Sequence, residues 1–560
     1  MRVGRSGTRA KATPMRENIR GCVVATPSPT TDWPANQWMT ARPRSASRSK
    51  RVPALVVGTV FVVVAGLYVG TVARDLVLVP DAAEYAHLAD NLLAHGAYRT
   101  NAGPYALVPP GFPIVLAGVF ALVGHNWLLL NVMMALVALT TICGFFAYVR
   151  RVGSTSTALC LTVVLALCLP FYWVSRHLLT DIPFACAMMG CCYALHRWQW
   201  DGQPRRWLAL AVALAAVGVS LRSVGLILPM VLAVTLCLQG VVRRRLAHAV
   251  SRAALVAVLA SAPMLLFVAR NATLADGAVR RPPFGYMVQL AAGGDSEGFA
   301  ALLSAKWLQL RLTTRSLLAD ATNVDAFRSL PGPATAPLAA MLLIPGGLIL
   351  LLRRRDPLVC FLVLYLPVIV TIGPLSWHTT WRYLMPIMPA VILVIWQSLD
   401  WLVSRWPGRV SPSLRPWAAG VALATVSGLA GYAEWVVEVR SFLDRDGHVY
   451  VAVDSARETA RWLTDSVPAG EPVVSAGCAP FLLTDRPGVL LPRLPDGQAF
   501  VDFAQKHAMR WVVSWKPFPS HQAVADAVAH HPETVTVRFE NTHWVVCEVA
   551  APPDLAVDAG

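Results

Sequence analysis

Apolar and polar positions along this chain are sorted into long blocks. Eleven apolar runs, at about 54–73, 126–149, 156–174, 182–197, 207–221, 224–241, 251–269, 337–352, 357–373, 385–403 and 416–437, alternate with polar segments, many of them rich in arginine. The first, Ala54 to Ala73, has 20 residues. At about 1.5 Å per helical residue that length crosses a hydrocarbon core of about 30 Å, and it exceeds the core of a signal peptide. The pattern predicts an all-α polytopic membrane body of about 11 transmembrane helices.

Two stretches need separate reading. Gly111 to Gly124 is apolar but short, and it follows Pro109 and Pro110 and contains Pro113, so it reads as an interfacial or re-entrant helix. Residues 207–241 are flanked by arginines and interrupted by Arg222, which predicts a helical hairpin with Arg222 recessed near its turn. Outside the body, residues 1–52 are basic and rich in Ser, Thr and Pro, the composition of a disordered tail. After Val437 the pattern changes again. Helix-like SARETARWLTDSV and GQAFVDFAQKHA are interleaved with strand-like EPVVSAG, MRWVVSW, TVTVRF and THWVVCEV, so residues 438–560 read as a small α/β domain.

Composition agrees with a bilayer as the solvent. Hydrophobic residues make up 56% of the 560 and charged residues 14%, and mean hydropathy is +0.52, which excludes an ordinary soluble protein. A net charge of +16 invites a nucleic-acid partner, but the basic residues are not gathered on a soluble domain with interleaved aromatics. They cluster at 42–51, 150–151, 197–206, 243–245, 353–355 and 405–415, at the ends of the apolar runs. Eleven spans place every cluster on one side, so the positive-inside rule puts the N-terminus in the cytoplasm and the C-terminal domain outside a multi-pass cell-membrane protein.

The segments left on the outer side are then 74–125, 175–181, the turn at Arg222, 270–336, 373–383 and the C-terminal tail. All the candidate chemistry falls there. Asp81 and Glu84 are three residues apart on a predicted helix and share a face. Asp181 stands at the start of a span just before Ile182 and Pro183, where a carboxylate also caps a helix. Arg222, Arg270 and Arg382 rank ahead of Arg176, His177 and His378 as candidates to hold an anion, because a guanidinium near a bilayer needs a partner; the alternative is snorkelling or anchoring to the interface.

These motifs resemble a known family. The segments DAAEYAHLADNLLAHGAY, PPGFPIVLAGVFALVG, LLTDIP (178–183), SLRSVGLILP (220–229), ARN (269–271) and RYLMPIMP (382–389) are similar, in order and spacing, to the GT-C integral membrane glycosyltransferases. The likeness is to the branch of family 39 protein mannosyltransferases and the lipid A aminoarabinose transferase. It implies a sugar donor on polyprenyl phosphate, transfer at the outer membrane face to an acceptor hydroxyl, and inversion at the anomeric carbon. Asp81, followed four residues later by Tyr85, matches the family's proposed catalytic base, with Glu84 and Asp181 as supporting acids. Tyr85, Arg222, Arg270, His378, Arg382 and Tyr383 fall at positions for substrate. Many relatives carry a second acid directly after the aspartate, where this chain has Ala82.

The residue types suit that chemistry. A sugar phosphate already contains a leaving group, so the protein must supply a carboxylate to take the acceptor proton and cations to hold the departing phosphate. No metal is required for this, although it leaves room for a divalent cation. The partners implied are a polyprenyl-phosphate sugar, a glycan, lipid or protein acceptor, and the bilayer. Two rivals share the composition: a transporter or flippase of lipid-linked precursors, which should carry midplane charges and internal repeats, and a non-catalytic envelope assembly protein, which would tolerate loss of Asp81.

Other signals add little. Asp444-Arg445-Asp446 has the form of a D-x-D motif but lacks a nucleotide-binding βαβ unit around it, and Asn271-Ala272-Thr273 is a formal sequon. Most of the eleven cysteines lie in apolar runs, Cys191 and Cys192 as packing residues, while Cys478 and Cys547 lie in the tail where an oxidising compartment permits a disulfide.

Overall fold

The computed structural model describes residues 52–75, 77, 79–100, 103–202, 204–274, 313–322, 332–372, 382–405, 415–443, 448–468, 471, 473–476, 488–490, 494, 496–506, 509–516 and 521–550. His378, the Asp444–Asp446 motif and Cys478 lie outside the described residues. The body is helical: α1 (Ala54–Gly70), α2 (Pro80–His95), α3 (Gly111–Val123), α4 (Trp127–Val152), α5 (Thr155–Ala166), α6 (Leu169–Val174), α7 (Asp181–Trp200), α8 (Arg205–Leu221), α9 (Ile227–Val242), α10 (Leu246–Ala272), α11 (Gly332–Leu348), α12 (Pro357–Ile372), α13 (Met388–Arg405) and α14 (Arg415–Leu443). Between α2 and α3 a two-stranded ladder pairs β1 (Arg99–Thr100) with β2 (Gly103–Pro104).

Local chemistry sets several of these boundaries. Helix α2 opens with Pro80 at its first position and closes on Gly96 in the left-handed region, φ 61°. Proline lacks only an N–H that is unsatisfied there anyway, and glycine takes positive φ without a Cβ penalty. Asn126 accepts the Leu129 N–H to cap α4, and Ser154 accepts the Thr157 N–H to cap α5. Four stretches, Trp127–Val152, Ser223–Val242, Leu246–Ala272 and Arg382–Arg405, are long and apolar enough to cross a membrane by length and composition. On α10, Leu255, Val258, Leu259, Leu265 and Leu266 are all exposed, an apolar surface suited to lipid rather than water. The protein is a multi-pass membrane protein.

Every predicted apolar run falls mainly on helix over its described residues, with one internal break. The run at 156–174 is two helices, because the chain leaves helical geometry at Cys168 (ψ 110°) and restarts with Pro170 in the first turn of α6. The segment 111–124 forms α3, a helix of 13 residues, and Arg222 sits in extended backbone between α8 and a 3-10 turn, Ser223–Leu226. That turn needs Gly225. A Cβ there would lie against the Gly218 carbonyl and 2.8 Å from the Val219 nitrogen, while the Gly225 N–H closes the turn on the Arg222 carbonyl at 2.9 Å. Gly225→Ala is expected to cost about 1–3 kcal/mol as overpacking against backbone. Thermal unfolding of the solubilised protein checks this, with Gly118→Ala, where no atom lies within 4 Å, as the tolerated control.

After α14 come α15 (His448–Ser466), β3 (Val473–Ala476), β4 (Gly488–Leu490), α16 (Gly497–Lys506), β5 (Trp511–Trp515), α17 (His521–His530), β6 (Val535–Glu540) and β7 (Trp544–Val549). The sheet order is β4-β3-β5-β7-β6, with β3 parallel to β4 and β5, and β7 antiparallel to β5 and β6. Alternation along β5 and β7 sends Val512, Val545 and Cys547 to a core with Phe500, Val524 and Ala527 of α16 and α17. It sends Trp511, Val513, Trp544 and Val546 to the other face, against Ala456 and Leu463 of α15. The sheet is thus covered by helix on both faces.

Candidate functional site

The site is assembled at one end of α7. This helix has 20 residues, about 30 Å at 1.5 Å per residue. Its far end carries Arg197, paired with Asp201, which also receives Arg151 from the end of α4. There too Arg354 donates to the Val152 carbonyl and Gln199 to the Arg355 carbonyl. The arginine-rich loops 150–151, 197–206 and 353–355 therefore meet at one end, and Asp181 opens α7 at the other.

Asp181 is fully buried between two guanidiniums. Arg222 Nη1 donates to Oδ1, and Arg382 donates to Oδ2 from Nε at 3.3 Å and from Nη2 at 3.2 Å. The same Arg382 Nη2 reaches Asp81 Oδ2 at 2.7 Å. Two carboxylates and two guanidiniums from α2, α7, the α8–α9 turn and the approach to α13 thus form one balanced network. Its members differ in access. The Asp81 side chain is 41% exposed, whereas Arg382 is 19%, Arg222 12% and Asp181 0% exposed. The buried acid fixes the arginines, and Asp81 is the acid open to solvent.

Aromatic rings complete this centre. The Tyr383 ring lies under Arg222, 5.4 Å from guanidinium carbon to centroid, and its carbonyl accepts the Tyr365 hydroxyl at 2.8 Å. Tyr85 is buried, its ring edge-on to Phe112 with centroids 5.3 Å apart and its hydroxyl 3.4 Å from Thr180 Oγ1. Burial, and after it the Asp81 carboxylate, push its phenol up, so at neutral pH it is an uncharged hydroxyl.

Glu84 and Arg270 belong to a neighbouring group. Tyr105 donates its hydroxyl to Glu84, and Arg270 donates to the carbonyls of Tyr105 at 2.5 Å and Tyr98 at 2.8 Å. Arg270 lies 5.7 Å from the Tyr98 ring centroid, so it ties the end of α10 to the β1–β2 ladder. The structure thus brings Asp81, Asp181, Arg222, Arg382, Tyr85 and Tyr383 together and sets Glu84 with Arg270 beside them. Tyr98 and Tyr105 join this group without being among the candidate residues above. Their signal in the sequence is two tyrosines flanking the Asn-Ala-Gly-Pro segment at 101–104.

Arg176 and His177 face inward. Arg176 is 1% exposed, donates to the Tyr68 carbonyl and, at 2.6 Å, to Thr71 Oγ1, and lies 4.3 Å from the Tyr172 ring centroid. It caps the C-terminal turn of α1, where a cation meets the negative end of the helix dipole. His177 is stacked on Trp173 and hydrogen-bonded to its carbonyl at 2.8 Å. Ala82 has no exposure and packs into the helical body, so a second acid at this position would be buried. Among the described residues no group of three or more His, Cys, Asp or Glu side chains is arranged to hold a metal ion.

Comparison with known proteins adds three results. Residues 107–267 match the family profile of dolichyl-phosphate-mannose-protein mannosyltransferases. Among solved structures, ArnT from Cupriavidus metallidurans bound to undecaprenyl phosphate aligns over 90% of this chain and 100% of its own, with a TM-score of 0.55 and 16% identity. Its apo form aligns over the same shares with the same TM-score and 15% identity. The oligosaccharyltransferase of Archaeoglobus fulgidus tethered to an acceptor peptide aligns over 82% of this chain and 68% of its own, with a TM-score of 0.50 and 12% identity. No curated protein sequence matches the chain. The fold likeness implied by the motifs is thus present over most of the chain.

Proposed function

We propose that this chain, which has the fold of the GT-C membrane glycosyltransferases, moves a sugar from a polyprenyl-phosphate donor to an acceptor hydroxyl at the extracytoplasmic face of the membrane. The observation that carries the reading is the single Arg382 guanidinium shared between the open carboxylate of Asp81 and the buried carboxylate of Asp181. It stands at the end of α7 opposite the arginine-rich loops, which by the positive-inside rule is the outer end. The match to a lipid-phosphate mannosyltransferase profile and the undecaprenyl phosphate bound to ArnT support a donor of this class.

Each group then has a task. The donor phosphate is attracted to Arg382 and Arg222, and as it engages Arg382 it competes with Asp81 for the same Nη2. Donor binding thereby frees the Asp81 carboxylate to accept a hydrogen bond from the acceptor hydroxyl. Asp81 takes the proton of the acceptor hydroxyl while that oxygen bonds to the anomeric carbon from the face opposite the phosphate. The bond from the anomeric carbon to the phosphate oxygen breaks, its electron pair leaves with polyprenyl phosphate, and the arginines stabilise the charge that develops there. Asp181 keeps both guanidiniums in place throughout.

The test is transfer by purified protein in lipid nanodiscs from a panel of radiolabelled polyprenyl-phosphate sugars to membrane-extracted acceptors, with nucleotide sugars as the contrasting donors. Label reaching an acceptor from a lipid donor and not from a nucleotide donor is the expected result. Movement of intact lipid donor between leaflets without transfer would replace this reading with that of a flippase.

A further inference from the structure

Helix α2 has two buried sides. Ala82, Tyr85, Ala86 and Ala89 pack into the helical body, and Tyr85 meets Phe112 and Thr180 there. Ala83 is equally buried but belongs to a different cluster, with Ala456 and Leu463 of α15 and Trp511, Val513 and Trp544 of the sheet. Two residues along a helix are about 200° apart at 3.6 residues per turn, so Ala83 and Asp81 lie on nearly opposite sides of α2. The C-terminal domain therefore backs the helix whose front carries Asp81.

The segment leading into α2 is fixed in the same way. From the body, Asn131 Nδ2 donates to the carbonyls of Ala73 at 3.0 Å and Asp75 at 2.9 Å, and Arg176 holds the last turn of α1. From the C-terminal domain, Arg457 of α15 reaches the Asp75 carboxylate at 2.7 Å. Arg457 directly follows Ala456, so one turn of α15 supplies both the apolar contact behind Ala83 and the ion pair at the entrance to α2.

We infer that the C-terminal domain is a positioning device for Asp81: α15 and the tryptophan face of the sheet press α2 against the helical body, and Arg457 pins Asp75 in the segment that leads into it. The inference rests on the reading of Asp81 as the reacting carboxylate. A helix with alanine on both sides transmits such pressure well, because short side chains bring the neighbouring elements close to its axis and leave no rotamers to absorb a shift. The domain then acts on turnover rather than on donor affinity, since Arg222, Arg382 and Asp181 are held within the body.

The experiment uses the full chain with substitutions on the domain side. Ala456→Leu overpacks the contact behind α2, Arg457→Asp reverses the pin, and Arg457→Asp with Asp75→Arg restores it with charges exchanged. A displacement of about 1 Å at a reacting group costs up to about a hundredfold in rate, so Ala456→Leu is expected to lower kcat by about tenfold or more with donor KM within about twofold of wild type. Amide exchange over residues 80–95 is expected to accelerate in Ala456→Leu and Arg457→Asp and to return to the wild-type rate in the exchanged pair. Unchanged kcat and unchanged exchange over 80–95 in folded Ala456→Leu and Arg457→Asp would overturn the inference. If wild type transfers no sugar from any donor, the functional reading fails, while the exchange measurement still decides whether the domain holds α2.

Discussion

Asp81→Asn is expected to lower sugar transfer by about 10²–10⁴-fold, the range supplied by a positioned general base, in a protein that still folds and still binds lipid phosphate. The argument starts from exposure. With its side chain 41% exposed at the first turn of α2, Asp81 contributes little to the packed core, and asparagine keeps its shape. What asparagine lacks is a basic site for the acceptor proton. Donor binding separates this account from general damage to the site. Asp81 and Asp181 share Arg382 Nη2 in the resting structure, so removing the Asp81 charge weakens the competition that phosphate meets there. The Kd for polyprenyl phosphate should therefore hold or fall while kcat collapses, and a variant that loses both together would instead point to a structural role for Asp81. An assembly protein of the same fold would support its process equally well with asparagine at this position.

How much of this was legible in the sequence depends on the kind of interaction. Apolar runs report helices because burial in lipid or in the body needs the same residues along the whole segment, and each of the eleven runs is mainly helical over its described residues. The break at Leu167–Cys168 was hidden inside an apolar run, although Pro170 marked it. In the C-terminal domain the alternating runs gave β3, β5, β6 and β7, whereas β4 has three residues and α17 a short Ala- and Val-rich pattern, too little for periodicity to declare. The charged site was legible as a set of candidates but not as a network. Asp81 and Asp181 are 100 residues apart, and only the fold lets one guanidinium from position 382 touch both. By the same logic Arg270 looked like Arg222 in the sequence, a basic residue at an outer helix end, yet it is engaged by backbone carbonyls of Tyr98 and Tyr105. Nothing local marked Arg457 as a partner of Asp75, because that pair joins two parts of the chain 382 residues apart.

Asp181→Ala is expected to damage the protein in a different way, by removing a carboxylate and leaving two guanidiniums facing each other. Asp181 has no exposure, and Arg222 and Arg382 approach its two oxygens from different elements. Breaking a buried pair by removing one partner typically costs about 3–5 kcal/mol, because the remaining charge stays desolvated without compensation. Here two like charges remain, partly relieved by Asp81 on Arg382 and by the Tyr383 ring beneath Arg222. A marked drop in thermal unfolding temperature together with loss of transfer is therefore expected, in contrast to the stable but inactive Asp81→Asn. The pair Asp181→Ala and Arg222→Ala provides the check. If Asp181 acts by compensating buried guanidinium charge, removing Arg222 as well takes away part of the penalty, and the double variant should be more stable than the sum of the two single losses by about 0.5–3 kcal/mol, the usual range of coupling between contacting residues. Strict additivity would mean that the two side chains act independently despite their contact, and the network would then be a set of separate anchors.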